Sequence, residues 1–168
     1  MEFSHPNDWV VTLPNLGING EDGTIQSGNY AKGDTATFFV LPDSKHVDIS
    51  SQQKPFFEKL LSKAISQKGD GVYQDFKVKE IEQTLVGTTP YAIVHFQYTL
   101  LTGAGFEVQR TAVASCASAG DGVQVLWAAT INARLRKIGD ALDVTARSFR
   151  VYAGIKNDEP AVEWRSPI

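Results

Sequence analysis

The sequence is most informative at Tyr91-Ala92-Ile93-Val94-His95-Phe96-Gln97-Tyr98, where apolar side chains occupy both odd and even positions. Successive side chains of a β-strand point to opposite faces of its sheet. A strand that is apolar at both parities is therefore covered on both faces. We predict a strand over 91–101 and helices on each side of the sheet that contains it.

Further strand patterns lie on both sides of this segment. Turn sequences rich in Gly, Thr or Pro separate consecutive β-branched and aromatic runs, which predicts an antiparallel meander. The predicted long strands cover residues 76–85, 91–101, 106–118 and 123–130. Shorter strands are predicted at 9–13, 24–30 and 35–41, and the alternating segment 148–152 predicts a closing strand.

Two amphipathic helices complete the pattern. The first begins near Gln52, behind a Ser50 or Ser51 cap, and ends at the turn 69–71. Its apolar face consists of Phe56, Phe57, Leu60, Leu61, Ala64 and Ile65. The second helix covers 133–146, and its apolar stripe consists of Leu135, Ile138, Leu142 and Ala146. The predicted fold class is α+β, an α/β/α sandwich whose central antiparallel sheet is covered by helices on both faces.

Composition limits the class of protein. The chain has 168 residues, with 16 Lys and Arg against 19 Asp and Glu, so we expect one mildly acidic domain of formal charge −3. Nucleic-acid binders need clustered positive charge, which argues against that class. No apolar run approaches the roughly 20 residues of a membrane-spanning helix. No targeting peptide is visible at the start of the sequence, and we expect any such peptide to have been removed.

Cys116 is the single cysteine, so it cannot form an intramolecular disulfide or a cysteine-based zinc site. A thiol enzyme needs a histidine beside the nucleophile. If 102–105 is a tight turn, residue i pairs with residue 207 − i, and Cys116 lies opposite Tyr91. His95 is then four residues along the strand, about 13 Å away at ~3.3 Å per residue. We expect a small buried thiol without a catalytic function.

Metal-binding patterns are weak. No two histidines have the His-x-x-x-His spacing, and no histidine begins a His-x-Glu motif. The histidines are His5, His46 and His95. His46 with Asp43 and Asp48 is a candidate surface site, although a solvated loop explains the same residues. The turns 69–71 and 120–122 each supply one carboxylate, fewer than a calcium loop uses, so we read both as turns.

The start of the second helix carries a basic cluster of Arg134, Arg136 and Lys137. Cations at this end oppose the positive end of the helix dipole, so local helix stability does not favour them. An acidic partner would favour them, and we predict that these three side chains bind a partner; a solvated face is the alternative. Trp164 in the polar tail is either an exposed anchor or a ring folded onto the domain.

Three parts of the chain resemble PsbP-domain proteins. The opening Phe3-Ser4-His5-Pro6-Asn7-Asp8-Trp9 is similar to the Phe-x-x-Pro-x-x-Trp start of that family. The segments 91–98, 110–115 and 123–129 resemble its central hairpins, and Ser148-Phe149-Arg150-Val151 resembles its Ser-Phe-x-Val ending. The resemblance implies an α/β/α sandwich around an antiparallel sheet. It also implies an extrinsic subunit or assembly factor of a photosynthetic complex, resident in the thylakoid lumen of the chloroplast.

The sequence departs from that family at three points. Where the photosystem II extrinsic subunit has a His implicated in metal binding, this chain reads Glu107-Val108-Gln109-Arg110, and a guanidinium has no lone pair to offer a metal. Leu135 replaces the Trp that is usual near the start of the last helix. The domain pattern begins at Phe3, so we expect no counterpart of the family's mobile N-terminal arm. The first and third of these departures predict an auxiliary or assembly role, whereas Leu135 is a change that a core tolerates.

The resulting hypothesis is a non-enzymatic lumenal protein that binds protein subunits of a thylakoid membrane complex, photosystem II or a related one. We expect a domain over 1–154 and a polar tail over 155–168. We expect a monomer, peripheral to the membrane through protein contacts, with no cofactor and no nucleic acid; a calcium or other metal site is left open. Two alternatives remain. One is a small-ligand or metal-handling protein with a pocket between helix and sheet, and the other is a Ran-binding-type regulator.

Overall fold

The computed structural model describes residues 1–13, 25–41, 47–66, 71–119 and 122–151. Within these ranges seven strands form one antiparallel sheet in the order β1-β2-β3-β7-β6-β5-β4. The strands are β1 (Val10–Thr12), β2 (Gln26–Asn29), β3 (Asp34–Leu41), β4 (Val72–Val86), β5 (Thr89–Leu101), β6 (Glu107–Ala119) and β7 (Gly122–Ile131). The α-helices are α1 (Lys54–Ser66) and α2 (Leu135–Arg147), and 3-10 turns lie at Tyr30–Lys32, Ile49–Ser51 and Asn132–Arg134. No helix in the described ranges has the length and apolar character needed to cross a bilayer.

The predicted meander β4-β5-β6-β7 is confirmed, but the predicted register of its central hairpin is wrong by one residue. Tyr91 lies opposite Ala117, and Cys116 lies opposite Ala92. The turn is one residue longer than the predicted tight turn, because Thr102 pairs with Phe106 rather than Gly105, through a 2.9 Å backbone hydrogen bond. Three residues then form the loop, and Gly105 closes it at a φ of 82°.

The edge strand β4 begins at Val72, four residues before the predicted start at residue 76. Two register shifts interrupt its pairing with β5, one between Gln74 and Lys77 and one between Val78 and Glu80. Asp75, inside the first shift, has a φ of 56°. Bulges of this kind break the two-residue alternation of side chains, so the residues before the first shift do not continue the pattern that is recognisable from residue 76.

The first helix is confirmed, but its start differs from the prediction. Ser50 and Ser51 lie in a separate 3-10 turn, which Asp48 caps by accepting a hydrogen bond from the Ser50 amide. The helix α1 begins at Lys54, and the carbonyl of Gln53 accepts hydrogen bonds from the Phe56 and Phe57 amides. The predicted end at 69–71 lies largely outside the described residues. Ser next to an apolar run fits either a helix cap or a turn, which explains the shift.

Two hydrophobic clusters account for the core. One contains α1 residues, among them Phe57 and Leu61, together with the even-numbered β5 residues Ala92, Val94, Phe96 and Tyr98. The other contains Leu142 and Ala146 of α2 together with the odd-numbered Tyr91 and Ile93. Phe57, Leu61 and Phe149 are fully buried, as predicted. Leu135, which was predicted to belong to the apolar stripe of α2, is instead 37% exposed.

The predicted closing strand at 148–152 is wrong within the described residues. Only an isolated bridge forms there, between Arg150 and Glu2. Ser148 still belongs to the helix end, because its amide donates to the Val144 carbonyl and its hydroxyl donates to the Thr145 carbonyl. The bridge nevertheless places the N-terminal segment beside the end of α2, where the Ser4 amide donates to the Ser148 hydroxyl at 2.8 Å.

Candidate interaction surface

The basic cluster predicted from the sequence lies where the chain leaves β7 and enters α2. A 3-10 turn over Asn132–Arg134 leads directly into the helix. The first turn of α2 contains no acidic residue, and no side chain caps its start. The first turn therefore supplies no carboxylate to Arg134, Arg136 and Lys137.

Arg134 has a partner inside the chain. Its Nε donates to Asp34 Oδ1 at 3.0 Å and its Nη2 donates to Oδ2 at 2.6 Å, a bidentate contact with the first residue of β3. Asp34 is only 1% exposed, and the Thr130 hydroxyl also donates to it at 2.6 Å. Burial tends to raise the pKa of Asp34, but the hydrogen bonds from Arg134 and Thr130 outweigh it and hold the pKa below 3.8. Arg134 thus anchors α2 to β3.

Arg136 and Lys137 have a different environment. Both side chains are exposed, and neither forms a hydrogen bond or an ion pair with another residue in the described ranges. Asp140, one turn further along α2, is exposed as well. Arg136 and Lys137 are therefore the two members of the predicted cluster that are available to a partner.

A shallow cleft lies along the second half of α2. It lies between the N-terminal residues Ser4–Pro6 and the α2 residues Asp140, Ala141, Val144 and Thr145, with a volume of about 380 Å³. Val144 is 63% exposed, although it is an aliphatic residue on a helix. The sequence analysis missed this cleft. The exposed Val144 in an otherwise polar helix face is the signal that points to it.

The opposite end of α2 carries a charged network. Arg147 donates to both carboxylate oxygens of Glu82 at 2.9 and 2.7 Å and to Asp143 at 2.6 Å. The hydrogen bond from Arg147 holds the pKa of Glu82 below its ordinary value. His95 Nε2 lies 3.6 Å from Asp143 Oδ1. His95 is thus part of a network that joins β4, β5 and α2, while no group of three or more His, Cys, Asp or Glu residues in the described ranges is arranged to hold a metal.

Cys116 lies in the core of the sheet. It is fully buried, and desolvation raises the pKa of its thiol to about 12. A thiol with that pKa is protonated near neutral pH, whereas nucleophilic attack and metal binding need the thiolate. The environment of Cys116 therefore agrees with the predicted buried thiol.

Arg110 is also buried. Its Nη2 donates to the Gly33 carbonyl at 2.7 Å, to the Thr35 hydroxyl at 3.2 Å and to the Ala129 carbonyl at 3.3 Å. These acceptors belong to β3, β7 and the turn before β3. Arg110 therefore connects β6 to the two strands beyond it, and no lone pair is directed at a cation.

Several candidates from the sequence lie outside the described residues. Asp48 is described and caps the turn at Ile49–Ser51. The undescribed candidates are His46, Asp43, Asp70, Asp121, Trp164 and the tail 155–168. The proposed site of His46, Asp43 and Asp48 and the Gly-Asp-Gly turns therefore stay predictions.

Comparison with known proteins identifies the fold. No protein-family model matches the chain, and no curated protein matches it in sequence. The structure is similar to the solution structure of cyanobacterial PsbP (CyanoP) from Synechocystis sp. PCC 6803, with a TM-score of 0.58. The two proteins are 17% identical, and the match covers 89% of this chain and 85% of that chain. The chain has a PsbP-like fold. The comparison agrees with the resemblance seen in the sequence.

Proposed function

We propose that this protein is a non-enzymatic component of the thylakoid lumen that associates with a photosynthetic membrane complex, photosystem II or a related one. The observation that carries the proposal is the likeness to cyanobacterial PsbP over 89% of the chain. The departure at Arg110 favours an auxiliary, extrinsic or assembly role over direct support of oxygen evolution. A fold alone supports many functions, so the proposal needs a surface that can carry the association.

The proposed contact surface is the start of α2. Arg134, which the sequence placed in the contact, supports it by fixing the helix to Asp34. Arg136 and Lys137 supply the exposed positive charge. Acidic side chains of a partner would pair with these two cations, neither of which forms an ion pair with a residue in the described ranges. The partner is therefore an acidic protein surface on the complex.

The proposal includes the layered architecture and the domain limits. Helices on both faces of the sheet form an α/β/α sandwich, which the division of odd and even β5 residues between two clusters supports. The domain covers 1–154 and is followed by a tail at 155–168. The protein is a monomer that reaches the membrane through protein contacts, without a cofactor. The protonated, buried Cys116 thiol supports a function other than thiol catalysis.

Binding to solubilised or intact thylakoid membranes tests the proposal. The full chain should co-sediment with the membranes and co-purify with one photosynthetic complex. The double variant Arg136→Glu/Lys137→Glu should lose most of this binding at low salt. The matched control is Lys59→Glu/Lys77→Glu, which changes the net charge by the same amount at exposed positions on α1 and β4. Equal binding by both double variants contradicts the proposed surface, and no binding of the unmodified chain contradicts the proposed function.

A further inference from the structure

The exposed face of α2 combines free positive charge and exposed apolar surface in one line. Arg136 and Lys137 lie at its start, and Ala141 and Val144 line the cleft further along. We call these four residues the α2 stripe. Lys137 and Val144 are seven residues apart, which is close to two helical turns, so they share one side of the helix. The distance along the helix axis is about 10 Å at 1.5 Å per residue.

The cleft at the apolar end is small. A volume of about 380 Å³ lies near the lower limit of ligand pockets, ~300–1,000 Å³. A helix is about 10–12 Å wide with its side chains, so a whole helix does not enter such a cleft. A single apolar side chain does. Pro6 on one wall and Ala141 and Val144 on the other offer it aliphatic contacts.

Asp140 makes the stripe selective. Its exposed carboxylate lies between the cations and the apolar end. A partner carboxylate placed beside Asp140 would be repelled, whereas one placed over Arg136 and Lys137 would be attracted. The charge pattern thus fixes where along α2 an acidic residue of a partner can lie.

We propose that the α2 stripe binds an extended segment of the partner protein in which an acidic residue and an apolar residue are three positions apart. The inference rests on the proposed function, because it names the segment that the same surface recognises. An extended segment in the polyproline II conformation has three residues per turn and advances about 3.1 Å per residue. Two residues three positions apart therefore point to the same side and cover the ~10 Å between the cations and the cleft. The acidic side chain lies against Arg136 and Lys137, and the apolar side chain enters the cleft beside Val144.

Two capped peptides of identical composition test the spacing. In one, Gly-Ser-Asp-Gly-Ser-Leu-Gly, two residues separate Asp from Leu; in the other, Gly-Ser-Gly-Ser-Asp-Leu-Gly, Asp and Leu are adjacent. Amide and methyl NMR shifts of Ala141 and Val144 report binding to the full chain. We expect the first peptide to bind about two- to fivefold more tightly than the second, as for one exposed ion pair.

Two variants test the two ends of the stripe separately. Lys137→Glu should weaken binding of the first peptide by about two- to fivefold and make binding less sensitive to salt. Val144→Ser should weaken binding by a similar factor at all salt concentrations, and it should leave the fold intact because Val144 is 63% exposed. The matched control Lys59→Glu should bind the first peptide like the unmodified chain.

The outcomes separate this inference from the proposed function. Equal affinity for both peptides, or shifts away from Ala141 and Val144, overturns the inference. If Val144→Ser keeps full thylakoid binding while Arg136→Glu/Lys137→Glu loses it, the extended segment is wrong and the proposed function stands. A further outcome is that the full chain binds phosphatidylglycerol vesicles and neither peptide. If Lys137→Glu abolishes that vesicle binding, the cations bind lipid and the inference is overturned.

Discussion

At the scale of single residues, the ion pair between Arg134 and Asp34 is the main feature of the structure that the sequence did not predict. The sequence identifies Arg134 as a cation that opposes the helix dipole, and the structure pairs it with Asp34. The partner lies 100 residues earlier in the chain, and only the pairing of β3 with β7 brings the two together. A charge pattern read along one helix contains no information about that neighbour.

This ion pair leads to a prediction about pH. Because the hydrogen bonds from Arg134 and Thr130 hold the pKa of Asp34 below its ordinary value, the ionised carboxylate stabilises the fold above the pKa of the unfolded chain, and the stabilisation is lost as the pH falls through the folded-state pKa. Without Arg134, burial favours the protonated carboxyl of Asp34, so lowering the pH should restore part of the stability that Arg134→Ala loses. We expect Arg134→Ala to lower Tm, and the difference from the unmodified chain to narrow between about pH 7 and about pH 3.

The measurement is thermal unfolding by circular dichroism across that pH range. Asp34→Asn is the matched control, because an amide does not titrate there. In the Asp34→Asn background, Arg134→Ala should give a Tm difference that does not depend on pH. A difference of constant size in the unmodified background would contradict the assignment to Asp34.

The buried thiol gives a second prediction at this scale. Because burial raises the pKa of Cys116 to about 12, the native chain should contain almost no thiolate at mildly alkaline pH. We expect Ellman's reagent to label the native chain only as fast as the chain opens, and to label it at once in concentrated urea. Rapid stoichiometric labelling of the native chain would mean that Cys116 is accessible.

At the scale of elements, helices and long strands could be predicted wherever a regular period persists. The period of α1 is regular, and Phe57 and Leu61 are buried as expected. Prediction from the sequence failed at the ends of elements. β4 is interrupted by two bulges, and the serines before α1 form a turn of their own. These local choices depend on hydrogen bonds to neighbouring segments, so the side-chain pattern does not determine them.

The central hairpin provides a prediction about one of these ends. Gly105 has a φ of 82°, which costs an L-residue about 1–2 kcal/mol, whereas Gly103 has an ordinary φ and open space around it. We expect Gly105→Ala to reduce the free energy of unfolding by about 1 kcal/mol and Gly103→Ala to leave it nearly unchanged. Urea unfolding of the two variants measures the difference. Equal effects would argue for a different turn.

The packing of α1 gives a prediction of larger size. Phe57 is fully buried in the cluster that contains the even-numbered β5 residues. Phe57→Ala should lower the free energy of unfolding by about 3–5 kcal/mol, because it removes buried apolar surface and leaves a cavity. Leu85→Ala is the control, since Leu85 is 68% exposed and should change stability by less than about 0.5 kcal/mol. A loss below about 1 kcal/mol for Phe57→Ala would show that the face of α1 described as buried is the wrong one.

At the scale of the whole molecule, the meander and the two helices could be predicted because neighbours in sequence are neighbours in the sheet. The PsbP-like fold follows from their order, and the structural likeness agrees with it. The proposed interaction surface could be predicted only in part. Its cations are local in the sequence, but the cleft needs Ser4–Pro6 against α2, a contact set by the bridge between Glu2 and Arg150.

The last prediction concerns how the molecule meets its partner. Arg136 and Lys137 are exposed, so their attraction to an acidic partner acts across solvent before contact. The screening length shortens from about 10 Å at 0.1 M salt to about 3 Å at 1 M. The association rate with isolated membrane complexes should therefore fall with salt. Arg136→Glu/Lys137→Glu should slow association strongly at low salt and change the dissociation rate much less.

Surface plasmon resonance or stopped-flow mixing with the isolated complex measures both rates. The variant Lys59→Glu/Lys77→Glu has the same net charge and should associate faster than Arg136→Glu/Lys137→Glu, because only a local charge pattern orients the encounter. If the two variants associate at the same rate, long-range net charge governs the encounter and the start of α2 is not the contact. If only dissociation changes, the cations act after docking, and the electrostatic account of association is wrong.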